Sequence, residues 1–539
     1  MKRMKKLVAL LFSLVMLCAL AMPAMAAGPY SITITGAKGH TYTAYQVFSG
    51  AYFHGDGKNH TAANKEYLSN VQWGDDINGD ALLMALQAST MLGSDFTGKT
   101  SAEDVAYVLQ GYGDKSKELD EFARIVGKNL KPGATGTVSN VAGEDKKAEI
   151  TGLAAGYYFV KDTGDINAGE IATKFLIKVV GNASVTVKAQ APEFEKKVVS
   201  GSGDKGTSIN VGDKVTFQLT AKVPDMASFE EYTFTMHDTL SEGLTFNADS
   251  VKVTVDGNPI VNAAGINNKY TLTYPAATGN GDTFTIAFTE TQLKGLIHHT
   301  DGTTSFGATI VVEYTATLNE KALVKNVETN KAYLEYTNDP GSSSTSTKKT
   351  PETPVYVYDF DIEIAKYDGT GGETPADKAK KLKGATFILY KVEGESSAAK
   401  KLYYVQKTST KAVTWSEDEA AATRWTTDAQ GKVTFQGIAA GTYYLHETQA
   451  PDGYNSLKED SKVEITATYD GEGKLLTSSA ISIDNGQYIQ VQSISNKAGA
   501  VLPSTGGIGT TIFYVLGSIL VLGAAVLLIV KKRMKDQDR

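Results

Sequence analysis

Runs in which every second residue is apolar constrain this chain more than any other feature. In DFDIEIAKYD the side chains of Phe360, Ile362, Ile364 and Lys366 fall on one side of an extended backbone, because successive residues of a strand point to opposite faces. PEFEKKVV groups Phe194, Lys196 and Val198 in the same way, and YTFTMHDTLSEGL groups Phe234, Met236 and Asp238. NKAYLEYTNDP aligns Asn330, Ala332, Leu334 and Tyr336, YYLHETQAPDGY aligns Tyr443, Leu445 and Glu447, and YIQVQSISNK aligns Ile494 with Asn496. A helix would scatter these residues around its axis, whereas a half-buried strand collects them. The 27 tyrosines and 52 glycines also favour short strands joined by tight turns. The fold class that follows is all-β, with strands paired into tandem sandwiches.

At 539 residues the chain exceeds one ordinary domain, and roughly 150 residues per domain predicts about three. Composition turns Ser/Thr/Pro-rich at 338–354, and a second break falls at Ala191-Pro192. The expected division is a signal segment 1–26, an N-terminal module 27–190, a middle module 191–340, a linker 341–354, a C-terminal module 355–498 and a terminal signal 499–539. The first module is mixed, because residues 80–90, 101–110 and 115–128 carry helical spacing between strand-like ends, which predicts a sandwich with a helical insertion. Ser101 followed by Asp104 has the form of a helix N-terminal capping box. GLAAGYYFVKDT (152–163) and GIAAGTYYLHET (437–448) align without gaps and place Asp162 opposite Glu447, so the first and third modules are expected to share a strand layout.

Both ends carry addresses. Four cationic residues within 1–6, an uncharged run from Leu7 and Ala24-Met25-Ala26 make a signal peptide cut after Ala26. The single cysteine, Cys18, lies inside it, so the exported chain has no disulfide available although it works outside the cell. Loss of the cationic signal and of the basic C-terminal tail leaves it more acidic than the formal −7 of the whole sequence, which argues against a nucleic-acid partner.

LPSTGG begins at Leu502 and is followed by an apolar span at 512–530 and KKRMKDQDR. The span is long enough to cross a bilayer core, with the basic tail on the cytoplasmic side. This order resembles the sorting signal of Gram-positive surface proteins. The resemblance implies recognition of Leu502, Pro503, Ser504, Thr505 and Gly506 by a sortase, whose cysteine attacks the carbonyl of Thr505 and passes the chain to an amine.

The set Lys366, Glu447 and Asn496, with the Y-x-x-x-E-x-x-A-P-x-G-Y box from Tyr443, resembles the CnaB-type domain of Gram-positive pilins. The middle module, with Lys196, Asp238 and Asn330, resembles its CnaA-like companion, and Lys197 competes with Lys196 because one bulge exchanges strand faces. The resemblance implies immunoglobulin-like sandwiches in which lysine and asparagine form an intramolecular isopeptide bond assisted by the acid. Physically, an apolar core favours the neutral amine and the protonated carboxyl that such a reaction needs. The first module departs from the pattern, since Gly36 stands where the lysine would be and leaves Asp162 an ordinary solvated acid. The family resembled is the sortase-assembled backbone pilin. It implies a pilus sortase, further copies of the chain, minor pilins, peptidoglycan and a host surface ligand as partners, no cofactor, and localisation in the cell wall.

Polymerisation also requires an exposed amine near the first module boundary. The family's YPKN motif is absent, and Lys188 stands in a comparable place, with Lys178 and Lys174 as alternatives. A monomeric wall-anchored adhesin would use the same signals and sandwiches, and the interdomain lysine is what distinguishes the two readings. GSGDKG at 201–206 fits a phosphate loop only if a helix follows, and strand-like TSINVGDKVTFQLT follows instead. His298 and His299 lack carboxylate or cysteine partners at ligand spacing, so no metal site is expected, and no hydrolase motif appears.

Overall fold

The computed structural model describes residues 28–36, 38–55, 65–113, 116–165, 170–187, 192–201, 203–223, 231–261, 269–275, 281–289, 291–293, 307–338, 346–372, 379–394, 399–476, 481–484, 486–502 and 508–535. The signal segment 1–26 with Ala26, the linking candidate Lys188, Pro503 to Gly506 and the His298-His299 pair lie outside them.

The first unit packs the sheet of Lys147–Leu153, Tyr30–Thr35 and Ala183–Thr186 against a second sheet of Glu66–Trp73, Tyr42–His54, Gly156–Asp162 and Lys174–Val179. Between Glu66–Trp73 and the later strands lie helices Gly79–Ala88, Gly93–Phe96, Ala102–Leu109 and Lys117–Lys128. Phe122, Val126, Leu82 and Leu86 turn inward to a core shared with Phe48 and Phe159 of the sheet. Ser101 and Asp104 cap the third helix reciprocally, Ser101 Oγ accepting from Asp104 N and Asp104 Oδ2 from Ser101 N, each at 3.1 Å. Gly93–Phe96 had no counterpart in the periodicity, being only one turn long.

The second unit faces Asn258–Ile260, Leu244–Val255, Thr309–Leu318, Lys214–Lys222 and Phe194–Val198 against Gly206–Ser208, Thr353–Tyr358, Val327–Thr337, Phe234–Leu240, Phe284–Phe288 and Thr271–Thr273. The core between them runs from Val198 to Val357. Gly206–Ser208 is strand, in keeping with a turn rather than a phosphate loop at 201–206.

In the third unit Lys432–Ile438, Phe360–Asp368, Gln487–Asn496 and Ile481–Asp484 face Val413–Ser416, Lys400–Gln406, Thr386–Glu393, Gly441–Gln449 and Ser461–Ile465. Phe360–Asp368 and Gln487–Asn496 run parallel, the first and last strands of the unit lying side by side. The aligned segments of units one and three share a local device. Gly152 (φ +78°) and Gly437 (φ +73°) turn the chain, and the hydroxyls of Tyr158 and Tyr443 donate to the carbonyls of Ala154 and Ala439 at 3.0 and 2.8 Å.

The linker expected at 341–354 is corrected in its described part. Thr347–Lys349 and Thr353–Tyr358 both pair antiparallel with Val327–Thr337, and Val355 and Val357 are buried in the middle core. The middle unit therefore extends to Tyr358. Pro354, which cannot donate a ladder bond, escapes conflict because Gly206–Ser208 pairs only with Tyr356 to Tyr358 on that side.

Candidate functional site

Two clusters of lysine, acid and asparagine are sealed inside the second and third units. In the second, Lys196 comes from the edge strand Phe194–Val198 of one sheet, while Asp238 and Asn330 come from adjacent strands of the facing sheet, where Asp238 pairs with Ala332 and Leu240 with Asn330. All three are fully buried. Alternation along Phe194–Val198 turns Lys196 inward and leaves its neighbour Lys197 half-buried.

Lys196 Nζ donates to Asp238 Oδ2 at 2.5 Å and lies 5.4 Å from the ring centroids of both Phe217 and Tyr314. Burial lowers the Lys196 ammonium to about 8, against the opposing pull of Asp238. The same burial raises the Asp238 carboxyl, the lysine charge counteracting it. Both groups are thus displaced toward their neutral forms. Sequence reasoning missed Tyr314, whose hydroxyl donates to Asp238 Oδ2 at 2.6 Å and accepts from Lys196 Nζ and Asn330 Nδ2, each at 2.8 Å. Its inward place in TIVVEYTATL was the available signal, though not one that separates it from other core tyrosines.

In the third unit Lys366 pairs with Ile494 across the parallel ladder and Asp368 with Asn496, so Lys366 and Asn496 share a face two residues out of step. Glu447 projects from the facing sheet, where it pairs with Phe387. Lys366 Nζ lies 2.9 Å from Glu447 Oε1, while Glu447 Oε2 accepts from Asn496 Nδ2 at 2.9 Å and from Leu457 N at 3.0 Å. The ring of Phe387 lies 5.1 Å from the Lys366 amine, which burial lowers while Glu447 opposes. Lys366 and Asn496 are buried, and the Glu447 side chain is sealed with them.

Among the described residues the first unit brings no lysine to the equivalent place, and no side chain fits at Gly36: its φ is +143° and a Cβ would approach Val187 O to 2.0 Å. Asp162 is not the solvated acid expected from the sequence. Its side chain is fully buried against His40 Nδ1, and His40 Nε2 lies 3.3 Å from Glu170 Oε2. The alternation that turns Glu447 inward does the same for Asp162, and the burial is tolerated because an imidazole, not a lysine, meets it.

Asn496 is followed almost at once by the exit of the chain. Ala498 N donates to Thr370 Oγ1 and Gly499 N to Gly453 O, each at 2.8 Å, after which Leu502 is 82% exposed. Beyond the sorting residues, the exposed helix Ile508–Lys535 has the length and apolarity to cross a membrane and ends in Lys532, Arg533 and Lys535. Among the alternatives to Lys188, Lys174 and Lys178 both lie on the edge strand Lys174–Val179, where Lys178 Nζ donates to Glu66 O at 3.3 Å.

Comparison with known proteins agrees with this architecture. Residues 361–477 match the SpaA prealbumin-like fold domain, and 494–538 match the LPXTG cell wall anchor motif. The trypsin-resistant surface T6 protein of Streptococcus pyogenes serotype M6 is 27% identical over 410 residues, 66% of this chain and 71% of its own. The solved structure of the T6 backbone pilin of serotype M6 Streptococcus pyogenes has a similar fold, with a TM-score of 0.52 at 17% identity over 88% of this chain and 99% of that one. The full-length major pilin SpaD of Corynebacterium diphtheriae gives 0.46 at 18% identity over 87% of this chain and 98% of that one. Fold and anchor define the class, a surface protein held in the Gram-positive cell wall through an LPxTG signal. Within that class the similarities point to the backbone subunit of a sortase-assembled pilus.

Proposed function

We propose that this pilin builds a covalent shaft by joining Thr505 of one copy to the Lys188 amine of the next, and that each copy is locked internally by Lys196–Asn330 and Lys366–Asn496 isopeptide bonds. The observation that carries the internal bonds is the pair of sealed clusters, each bringing an amine, a carboxyl and a primary amide together in an apolar core. A mature chain without cysteine has reason to use them. Asp238 and Glu447 serve as the acids, taking the lysine proton and polarising the asparagine amide.

For the external bond, the pilus sortase supplies the chemistry and this chain supplies an electrophile and a nucleophile at opposite ends. Lys188 falls between Val187, still bonded to Thr35 of the first unit, and Pro192, at the entry to the second. The proposal requires that amine to be reached by a sortase carrying the Thr505 acyl group of another copy. Minor pilins would be added by the same transfer, peptidoglycan would receive the last subunit, and a host surface ligand would meet the finished fibre.

The test is an immunoblot of wall extracts boiled in detergent. Wild type should give a ladder, and Lys188→Ala should collapse it to a single band while the chain still reaches the wall. A persistent ladder removes Lys188 from the assignment. A single band from wild type would favour a monomeric adhesin.

A further inference from the structure

The two clusters solve one geometric problem with acids of different length. Glu447 spans the reacting pair by itself, one oxygen 2.9 Å from Lys366 Nζ and the other bonded to Asn496 Nδ2 at 2.9 Å. Asp238 is one methylene shorter, and its hydrogen bonds at the cluster go to Lys196 and Tyr314, not to Asn330. The Tyr314 hydroxyl fills the gap, 2.8 Å from Lys196 Nζ and 2.8 Å from Asn330 Nδ2. An aromatic ring lies over the lysine amine in both units, Phe387 in the third and Tyr314 in the second. The hydroxyl therefore accompanies the shorter acid.

We propose that Tyr314 is a catalytic residue of the Lys196–Asn330 reaction, relaying a proton from the attacking amine to the departing amide nitrogen. This rests on the cross-linking reading above. The reaction begins when the Lys196 ammonium gives a proton to Asp238 across their 2.5 Å hydrogen bond, leaving a neutral amine and a neutral acid in an apolar core. Nζ then attacks Asn330 Cγ, the new C–N bond forms, and the carbonyl electron pair moves to Oδ1. The added nitrogen is now cationic and must lose a proton, while Nδ2 must gain one before it can leave. Tyr314 gives its hydroxyl proton to Nδ2 and receives one from Nζ. The Cγ–Nδ2 bond breaks, the carbonyl re-forms and ammonia departs. Tyr314 ends as it began, and an amine and a primary amide have become a secondary amide and ammonia.

Burial and the adjacent Asp238 hold the Tyr314 hydroxyl far above its ordinary range, so it acts as a neutral relay and not as a phenolate base. Its ring packs against Phe217, Phe246 and Phe284 at centroid distances of 5.5, 5.7 and 4.8 Å. Tyr314→Phe keeps that packing and removes only the hydroxyl.

The experiment follows the Lys196–Asn330 junction peptide by mass spectrometry at intervals after synthesis of the full chain, with the Lys366–Asn496 junction as internal control. Tyr314→Phe should slow the first link by on the order of 100-fold, the low end of what a positioned proton relay contributes, and leave the second unchanged. Adding Asp238→Glu should restore the rate, since the longer acid can reach both nitrogens as Glu447 does. A Phe variant that links at the wild-type rate overturns the assignment, as does a slow Phe variant that the longer acid fails to rescue. A wild-type chain without the Lys196–Asn330 junction removes the cross-linking reading itself.

Discussion

His40 sits fully buried between Asp162 and Glu170, its ring 6.3 Å from that of Tyr42. The bond to Asp162 raises its pKa above the usual imidazole value, burial opposing and Glu170 assisting. A histidine whose folded pKa exceeds its unfolded one contributes stability that is complete below the unfolded value, near 6.5, and is lost as pH rises through the folded value. His40→Gln should therefore flatten the decline of the first unit's melting temperature between mildly acidic and mildly alkaline pH, as measured by calorimetry on the whole ectodomain. An unchanged pH profile would mean that the imidazole is neutral throughout. The sequence made Asp162 visible through its alignment with Glu447 but hid its partner. His40 lies on a different strand connection, and nothing in the local pattern ties it to residue 162. Tyr314 was hidden for a related reason. Which core tyrosine faces a lysine depends on how two sheets are laid over each other, whereas alternation reports only which face of one sheet a residue is on.

At the scale of elements, the joint between the second and third units is the point where one ribbon changes sheets. Thr353–Tyr358 belongs to the middle sheet, Phe360–Asp368 to the third unit, and Asp359 between them is fully buried. Asn326, in a left-handed conformation (φ +54°), donates through Nδ2 to Asp359 Oδ2 at 2.6 Å and through its backbone carbonyl receives Asp359 N at 3.2 Å. Val211 N to Gly437 O at 2.9 Å and Gln487 Nε2 to Leu323 O at 2.9 Å add bonds across the same seam. Burial, with Asp361 and Glu328 nearby, pushes the Asp359 carboxyl up to about 8. An acid whose folded pKa is raised binds its proton more tightly in the folded state, so it costs stability progressively as pH rises from the unfolded value of 3.8 to about 8. Asp359→Asn should then raise the melting temperature at pH 8 more than at pH 4. Equal effects at both values would place an ionised carboxylate at the seam. The sequence obscured this joint because Ser, Thr and Pro dominate 341–354 and mask the alternation that begins at Thr353. Only Val355 and Val357 betray it, and two residues are too few to separate a strand from a linker.

For the whole molecule, the β architecture and the inward facing of each lysine, acid and asparagine were legible because each depends on alternation along single strands. The seams between units were not, since they depend on how finished sheets meet. If Lys196–Asn330 and Lys366–Asn496 form, each ties the first strand of a unit to a late one and closes a loop of well over a hundred residues. By analogy with a disulfide closing such a loop, each would contribute roughly 5 kcal/mol through the unfolded chain. Tension entering at Lys196 would pass directly to Asn330, and tension leaving at Asn496 would come directly from Lys366, so most of each sandwich would be spared the load. Between Asn330 and Lys366 the path runs through Thr353–Tyr358, held to Val327–Thr337 by backbone hydrogen bonds with Asn330 opposite Val355. Everything in this picture depends on two condensations, each of which expels one ammonia molecule. The direct measurement is the intact mass of the mature chain compared with its sequence mass. A deficit of two ammonia molecules is the expected result, whereas a mass equal to that of the sequence would contradict the internal cross-links and the path of tension drawn through them.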